Sequence, residues 1–373
     1  LDAYFGVQKA AKQLRMLNAQ QFGDMLWQAM KNDGKTPSHD VYGNGDQAVV
    51  PEYLDSNHLI PSDDVDWVDE ILRAAVVQSY NLSFTKADKK SNQLFSLGYY
   101  DQQGLVKFSD FKRVSGRFNS EYKLFDDHLR IGENISLSHS WGTSVSNNAA
   151  LGGTLYEAYK FQSITPVKNL EDEYAGNVFS DIPNPMGKLY RNKDNQDKKS
   201  RLVGNLYAEL HLFDGLMFKT SFGVDYNNLY RRSFSPKYDE LNASEKLSSL
   251  SNRNAWNFNW VFTNTLTYNK TFGDHTINAL LGMESLRNRY EYFTASRDGF
   301  PSDDPNFRFL DAGDVGTQKN SGAATEYSMV SYFGKLDYNY HDRYLVAFTL
   351  RRDGSSRLGN NKWGNFPAAS VGW

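Results

Sequence analysis

The side chains that could perform chemistry in this chain of 373 residues do not form a catalytic pattern. Its seven histidines are scattered, and no two of them have the helical spacing of a zinc site. They are His39, His58, His128, His139, His211, His275 and His341. No Gly-x-Ser-x-Gly nucleophile motif occurs, and Gly43-Asn44-Gly45 does not lead from a strand into a helix as a phosphate loop would. Since the chain also lacks cysteine, thiolate metal sites and disulfides are excluded, and we expect no enzyme activity.

A cluster of acidic residues could hold a metal ion. Asp63, Asp64, Asp66, Asp69 and Glu70 lie within eight residues, and closely spaced carboxylates are ligands that Ca²⁺ prefers. The spacing is not that of a twelve-residue EF-hand loop, however, and acidic residues also stabilise the first turn of a helix through its dipole. Asp63, Asp64 and Asp66 therefore remain a calcium candidate beside a structural interpretation, and no other cofactor is expected.

Aromatic residues make up 14% of the chain and supply its candidate ligand-binding groups. Rings in polar loops stack on the apolar faces of pyranose sugars or hold peptide side chains. The alternative is that these rings pack inside the folded loops. The candidates from two long predicted loops are Trp27, Tyr42, Tyr53, Trp67, Tyr156 and Tyr159.

The segment Phe111–Trp141 shows how the rest of the chain is organised. Val114, Phe118 and Tyr122 alternate with polar residues such as Arg117 and Glu121, and the pattern continues after a short turn. Strict alternation of this kind predicts β-strands with one apolar and one polar face. The arms are about twice as long as the usual five or six residues, which is typical of a water-filled membrane barrel.

The same hairpin pattern recurs five times. The predicted strand pairs are Val76–Thr85 with Asn92–Tyr100, Phe111–Leu124 with Leu129–Trp141, Arg201–Leu212 with Leu216–Asn227, Ala255–Thr271 with Thr276–Arg287, and Ser328–Tyr340 with Arg343–Arg352. Short turns join the two arms of each pair, whereas mostly long segments join successive pairs. This asymmetry indicates an outer-membrane barrel with short periplasmic turns and long extracellular loops.

Counting strands in this way requires one further strand before Val76. Residues 1–8 supply it, residues 9–75 become a first extracellular loop with short helices, and residues 76–373 hold the hairpin repeats. We predict helices near Phe22–Met30, capped by Asn18, and near Val65–Leu72. A further strand is expected to begin near Ala368. The predicted fold class is all-β, an antiparallel transmembrane barrel with long, partly helical extracellular loops.

The composition of the chain limits the kinds of partner that we expect. A formal net charge of −3 gives no reason to expect nucleic acid, and no run of about 18 apolar residues predicts a membrane helix. The lipid bilayer remains the expected surroundings, because half-polar barrel strands give only a weak hydropathy signal. Both ends of the sequence interrupt a strand pattern, so we expect a piece of a longer barrel.

The last thirty residues carry a resemblance to a known family. Arg343–Gly359 and Asn361–Trp373 closely resemble the SusC/RagA family of TonB-dependent outer-membrane transporters. Tyr4–Gln8, Asp66–Ile71 and Arg201–Asn227 resemble other barrel segments of that family. The motif residues are Arg351, Arg352, Asp353, Gly354, Arg357, Trp363 and Gly364. They could form a ligand or ion-pair site at the barrel mouth, but a strand end with Asp353 paired to an arginine and Gly354 at a bend explains them as well.

The resemblance implies a function for a longer parent protein. It implies 11 or 12 strands of a barrel of about 22, with the plug, the TonB-binding segment and the second half outside this sequence. The parent would import oligosaccharides through the outer membrane of a Gram-negative bacterium, with energy from TonB and with a SusD-like surface lipoprotein as lid. The alternatives are a peptide importer of the same family, or a barrel that does not transport and acts as an enzyme or adhesin.

Overall fold

The computed structural model describes residues 1–146 and 152–373, and one large antiparallel sheet dominates it. Twelve strands form this sheet, in chain order. They are β1 (Asp2–Gln8), β2 (Ala75–Ala87), β3 (Ser91–Gln103), β4 (Asp110–Leu124), β5 (Leu129–Gly142), β6 (Gln196–Phe213), β7 (Leu216–Ser235), β8 (Ser249–Phe272), β9 (His275–Asp298), β10 (Lys319–Tyr340), β11 (Tyr344–Ser355) and β12 (Trp363–Gly372). Each strand pairs with the next, so β1 and β12 are the edges of an open sheet, and the predicted all-β hairpin fold is confirmed.

Tight turns and longer connections alternate along the sheet. The tight turns place residues at positive φ, including Asp126 (55°), Gly215 (87°), Gly273 (57°) and Asp342 (50°). Glycine and aspartate tolerate this conformation better than most residues, which is why these points reverse the chain. The predicted short turns and long loops therefore lie at opposite ends of the sheet.

The two faces of the sheet differ in chemistry. Residues directly opposite one another in the ladder share a face. Leu206 is opposite Phe222, which in turn is opposite Phe262, and these side chains are 57%, 43% and 38% exposed. On the other face, Arg201 donates two hydrogen bonds to Asp225, at 3.0 and 2.8 Å. We call these sides the apolar face and the polar face.

The strands extend further at the long-loop end than the sequence predicts. β8 begins at Ser249 rather than at Ala255, and β9 ends at Asp298 rather than at Arg287. The prediction for the last strand was also wrong, since β12 begins at Trp363 and not near Ala368. The Ser249–Asn254 extension is largely polar on both faces, so the alternation that predicts strands is missing there.

Four α-helices lie in the long loops, within the part of the chain that the structure describes. They are α1 (Ala19–Asn32), α2 (Trp67–Ile71), α3 (Thr154–Lys160) and α4 (Pro185–Asn192). Asn18 and Gln21 form a capping box at the start of α1, as the predicted cap requires. Of the described helices, none combines the length and the apolar character needed to span a membrane. We name the helix-bearing segments loop 1 (residues 9–74) and loop 3 (143–195), and the next two long connections loop 4 (236–248) and loop 5 (299–318).

Loop 4 and loop 5 contain shorter elements. Loop 4 holds a two-stranded ribbon of Tyr238–Glu240 and Ala243–Glu245, and loop 1 holds a smaller one of Ser38–His39 and Gly43–Asn44. Three 3₁₀ turns follow one another in loop 5, at Pro305–Phe307, Leu310–Ala312 and Val315–Thr317.

Candidate functional site

Loops 1 and 3 fold onto each other around a hydrophobic core. Trp67 and Ile71 of α2 pack against Phe161 and Leu189 of loop 3, and all four are buried. The Trp67 ring lies 4.6 Å from the Phe161 ring, and its indole nitrogen donates a hydrogen bond to the Gln162 carbonyl at 3.2 Å. Three helices from two loops therefore form one packed unit above the sheet.

A second core fixes the first part of loop 1. Trp27, Tyr42 and Ile164 are buried together, and the Tyr42 hydroxyl donates to the Ala19 carbonyl at 2.8 Å. Burial raises the pKa of Tyr42 to about 12, and the nearby Asp64 carboxylate adds to this shift. A phenol with this pKa stays neutral and remains a hydrogen-bond donor at physiological pH.

The six aromatic candidates are thus divided by burial. Trp27, Tyr42 and Trp67 lie inside the loop cores, so their rings are covered by protein in this structure and the packing alternative describes them. Tyr53 is half-buried beside the His58 ring at 4.8 Å, and Tyr159 is half-buried against the first core. Tyr156 is 41% exposed, which leaves it as the candidate ring most open to a ligand.

The acidic cluster has structural partners. Asp66 caps α2 by accepting hydrogen bonds from the backbone of Val68 and Asp69 at 3.1 and 3.0 Å. Asp64 accepts from the backbone of Ala19 at 2.9 Å, and Asp63 accepts from the backbone of Asp64 at 2.8 Å. Within residues 1–146 and 152–373, no three acidic, histidine or cysteine side chains converge as metal ligands. Each of these three carboxylates therefore has a backbone hydrogen-bond partner in this structure.

The motif residues at the end of the chain connect β10, β11 and β12 through side-chain contacts. Arg351 donates to Asp353 at 2.8 Å and to the Ser331 hydroxyl at 3.0 Å, so the ion pair of the structural interpretation is present. Gly354, by contrast, lies within β11 and not at a bend. A Cβ atom on Gly354 would approach the Trp363 ring to 2.9 Å, which explains why the position needs glycine.

The remaining motif residues also make contacts within the sheet and its ends. The Arg352 guanidinium lies 5.0 Å from the Trp363 ring, and that of Arg357 lies 4.0 Å from the Tyr327 ring. Gly364 allows the Phe366 ring to approach, since a Cβ there would lie 2.9 Å from it. The motif is a set of packing and cation–π contacts along the last strands.

Sequence reasoning did not identify a polar cleft between loops 3, 4 and 5. It has a volume of about 550 Å³, and its lining includes Glu240, Arg191 and Arg308. The Glu240 carboxylate lies 2.5 Å from the Arg191 guanidinium and accepts from the Asn184 backbone at 2.7 Å. Burial raises the pKa of Glu240, and the Arg191 charge and hydrogen bond oppose this shift. No sequence signal joins these residues, because they lie in separate loops.

A buried arginine closes the cleft on the side of loop 5. Arg308 donates to the Asp303 carbonyl at 2.7 Å and lies 3.4 Å from the Asp194 carboxylate. Its guanidinium lies 4.4 Å from the ring of Phe234, which is packed with Leu250 in a third core. Loops 3, 4 and 5 are therefore tied to each other and to the ends of β7 and β8.

The polar face of the sheet continues below the loops. Several of its charged side chains are paired with each other, for example Lys219 with Glu209 at 2.8 Å and Arg231 with Asp197 at 2.5 Å. Neutral amides pair there too, as in Asn134 with Asn205 at 3.1 Å. A face of hydrogen-bonded and ion-paired polar groups can border an aqueous channel.

Comparison with known proteins shows which proteins this chain resembles. No family model matches the chain. It is 30% identical over 334 residues to TonB-dependent receptor P3 of Formosa agariphila, an alignment that covers 87% of this chain and 33% of the relative. TonB-dependent receptor SusC of Bacteroides thetaiotaomicron is 28% identical over 338 residues, covering 83% of this chain and 32% of SusC. The chain thus spans about a third of the length of the curated relatives it matches.

Solved structures agree with these relatives in fold. The RagAB peptide transporter superimposes with a TM-score of 0.81 at 21% identity, covering 99% of this chain and 43% of that one. The same importer in its open-open state gives a TM-score of 0.80 at 23% identity. At this identity the likeness concerns the fold, and it identifies the sheet as part of a TonB-dependent receptor barrel. Sequence and fold together show that the chain belongs to the SusC/RagA family of TonB-dependent receptors.

Proposed function

We propose that the full-length protein imports oligosaccharides across the outer membrane of a Gram-negative bacterium, driven by TonB. The observation that carries this proposal is the twelve-strand wall with an exposed apolar face and an ion-paired polar face. In a membrane barrel the first faces lipid and the second faces water. The wall then separates lipid from a hydrated passage, and no bond chemistry is required of it.

The loops supply the second part of the proposal. Because loops 1 and 3 share a core around Trp67, they present a folded surface rather than loose chain at the long-loop end. A folded surface suits the docking of a lid, and we assign this role to a SusD-like surface lipoprotein. Rigid partners lose less conformational entropy on docking, which favours a stable lid contact.

The choice of oligosaccharide over peptide rests on the polar face. Beside its ion pairs it carries neutral amides, such as Asn134 with Asn205 and Asn257 with Asn288, at 3.1 and 2.9 Å. Amides both donate and accept hydrogen bonds, so they suit a cargo rich in hydroxyl groups. Peptide is the second candidate, because the RagAB structure of the same fold is that of a peptide transporter.

The experiment is mass spectrometry of ligands that co-purify with the full-length receptor and its lid. The proposal predicts bound oligosaccharide. Glycosidase digestion of the extract confirms that the released ligand is a glycan. A set of bound peptides in its place would contradict the cargo assignment. Uptake of the identified cargo by cells with and without TonB then tests transport, and equal uptake in both would contradict the mechanism.

A further inference from the structure

Two pairs of adjacent basic residues lie near the long-loop ends of β6 and β7. They are Lys198 with Lys199 on β6, and Arg231 with Arg232 on β7. Because side chains alternate along a strand, each pair sends one cation to each face of the sheet. In the ladder Lys198 is opposite Tyr230, and Arg232 is opposite Gln196, two residues from Lys198. Lys198 and Arg232 are therefore diagonal neighbours on one face.

That face is the apolar one. Steps of two residues down β6 lead from Lys198 through Leu202 to Leu206, which is opposite Phe222 of the apolar face. Lys199 and Arg231 share the other face with Asp197, which pairs with Arg231. The chain thus places matched cations on the two sides of the wall at the same height.

Their height can be judged from the tight turn at Asp214–Gly215. Strands rise about 3.3 Å per residue and are tilted about 40°, so each residue adds roughly 2.5 Å of height. An apolar band about 25 Å tall then covers about ten residues and ends near Leu202. Lys198 lies roughly 10 Å higher and Arg232, opposite Gln196, roughly 15 Å higher, so their long side chains can reach back to the head-group layer beyond the hydrocarbon core.

The two outward cations are also free to take an anion. Of their two lumenal counterparts, Arg231 is bound to Asp197 at 2.5 Å, whereas Lys199 has no carboxylate within ion-pair distance among the described residues. Among the residues that the structure describes, no carboxylate lies within ion-pair distance of Lys198 or Arg232. Trp141 is opposite Lys198 on β5, and Tyr230 is opposite it on β7, so amphipathic rings flank the cations. Such rings are enriched at the membrane–water interface.

We propose that Lys198 and Arg232 bind the phosphate of an anionic membrane lipid at the outer boundary of the bilayer. Paired basic residues give charge-assisted hydrogen bonds to phosphate oxygens, and each contributes to attraction by an anionic surface. This inference rests on the outer-membrane placement in the proposed function, but it does not depend on the cargo. It adds a lipid-binding site to the outside of the barrel wall.

The test compares two double variants of the full-length receptor in nanodiscs. K198Q/R232Q removes the outward cations, and K199Q/R231Q removes the same two charge types from the same two strands on the lumenal side. Retained phosphatidylglycerol is measured by native mass spectrometry against phosphatidylcholine. We expect K198Q/R232Q to lose about thirtyfold in affinity for phosphatidylglycerol, while K199Q/R231Q keeps it and K198R/R232K restores it.

Three outcomes would overturn the inference. They are an equal loss in the two variants, retention by K198Q/R232Q, and displacement of the lipid by inorganic phosphate alone, which would indicate a site for the free ion. Cargo binding is measured on the same samples. A K198Q/R232Q receptor that binds cargo but not lipid supports the lipid site. Loss of cargo binding from all samples would contradict the proposed function, but the lipid measurement could still be interpreted.

Discussion

The strands and the loops of this chain use apolar side chains in opposite ways. On the wall, Leu206 and Phe222 are 57% and 43% exposed on the apolar face, whereas Trp67 and Ile71 in the loop core are 2% and 0% exposed. The wall carries ion pairs on the other face, as in Arg201 with Asp225. In the proposed membrane placement, one sequence folds against two solvents, lipid beside the strands and water around the loops.

The difference implies two sources of stability. The loops are held by burial of apolar area from water, which is worth roughly 25 cal/mol per Å². The wall is held by its backbone hydrogen-bond ladder and by matching its exposed apolar face to hydrocarbon. Substitutions that shorten an apolar side chain should thus matter in the loops, and substitutions that add a charge should matter on the wall.

The largest effect is expected for Trp67→Ala. Removing this ring leaves a cavity in the core shared by loops 1 and 3, and we expect a cost of about 4 kcal/mol to local stability. Hydrogen exchange of α2 and α3 in the full-length receptor should rise while that of β6 and β7 stays low. Leu206→Ala is the matched control on the wall. Equal hydrogen exchange of α2 and α3 in the two variants would contradict the distinction between loops and wall.

The ion pair under loop 4 gives the next effect. Arg191→Met keeps much of the side-chain volume but leaves the Glu240 carboxylate buried without its counter-charge, which we expect to cost about 3 kcal/mol near neutral pH. Protease cleavage within loop 4 is the measurement. Exposed Lys246 and its partner Asp239 supply the control, since Lys246→Met should change cleavage little.

The pH dependence of the Arg191→Met variant has a defined sign. Burial raises the pKa of Glu240 and Arg191 opposes that shift, so loss of Arg191 raises the folded-state pKa further. A carboxyl group whose folded pKa is raised favours folding below its ordinary pKa, and this contribution is lost as pH rises through the raised value. Acidification should therefore restore loop 4 in the variant. If protection of loop 4 from protease decreases as the pH is lowered, the assigned role of Glu240 is wrong.

A smaller effect is expected from a charge on the wall. Leu206→Arg places a guanidinium on the apolar face well inside the band, at a cost of about 2 kcal/mol. Asn205→Arg puts the same group one residue away on the polar face, where water accommodates it. Folding yield into lipid vesicles should fall for the first variant only, and equal yields would mean that β6 does not face lipid as assigned.

Much of the wall could be predicted from sequence, because the alternation is local. Val114, Phe118 and Tyr122 recur every fourth residue on one face, and Asp and Gly mark the turns, where they adopt positive φ. The strand extensions at Ser249–Asn254 were missed because both of their faces are polar. Local patterning predicts a strand only where one face must be apolar.

The loops resisted prediction for a different reason. Trp67 was proposed as a ligand contact, yet it is covered by Phe161, which lies far along the chain in loop 3. Glu240 and Arg191 meet across two loops, 49 residues apart in sequence. Whether an aromatic or charged loop residue is exposed depends on such long-range contacts, and no local pattern records them.

The central claim, that the sheet is a membrane wall with lipid on one side and water on the other, can be tested along β6. The chain contains no cysteine, so single cysteines at Leu202, Val203, Asn205 and Leu206 give clean probes in the full-length receptor in vesicles. We predict that cysteines at 203 and 205 react with a charged, water-soluble maleimide, and that those at 202 and 206 react only with a lipid-soluble reagent. Equal reactivity at all four positions, or the reverse alternation, would contradict the account.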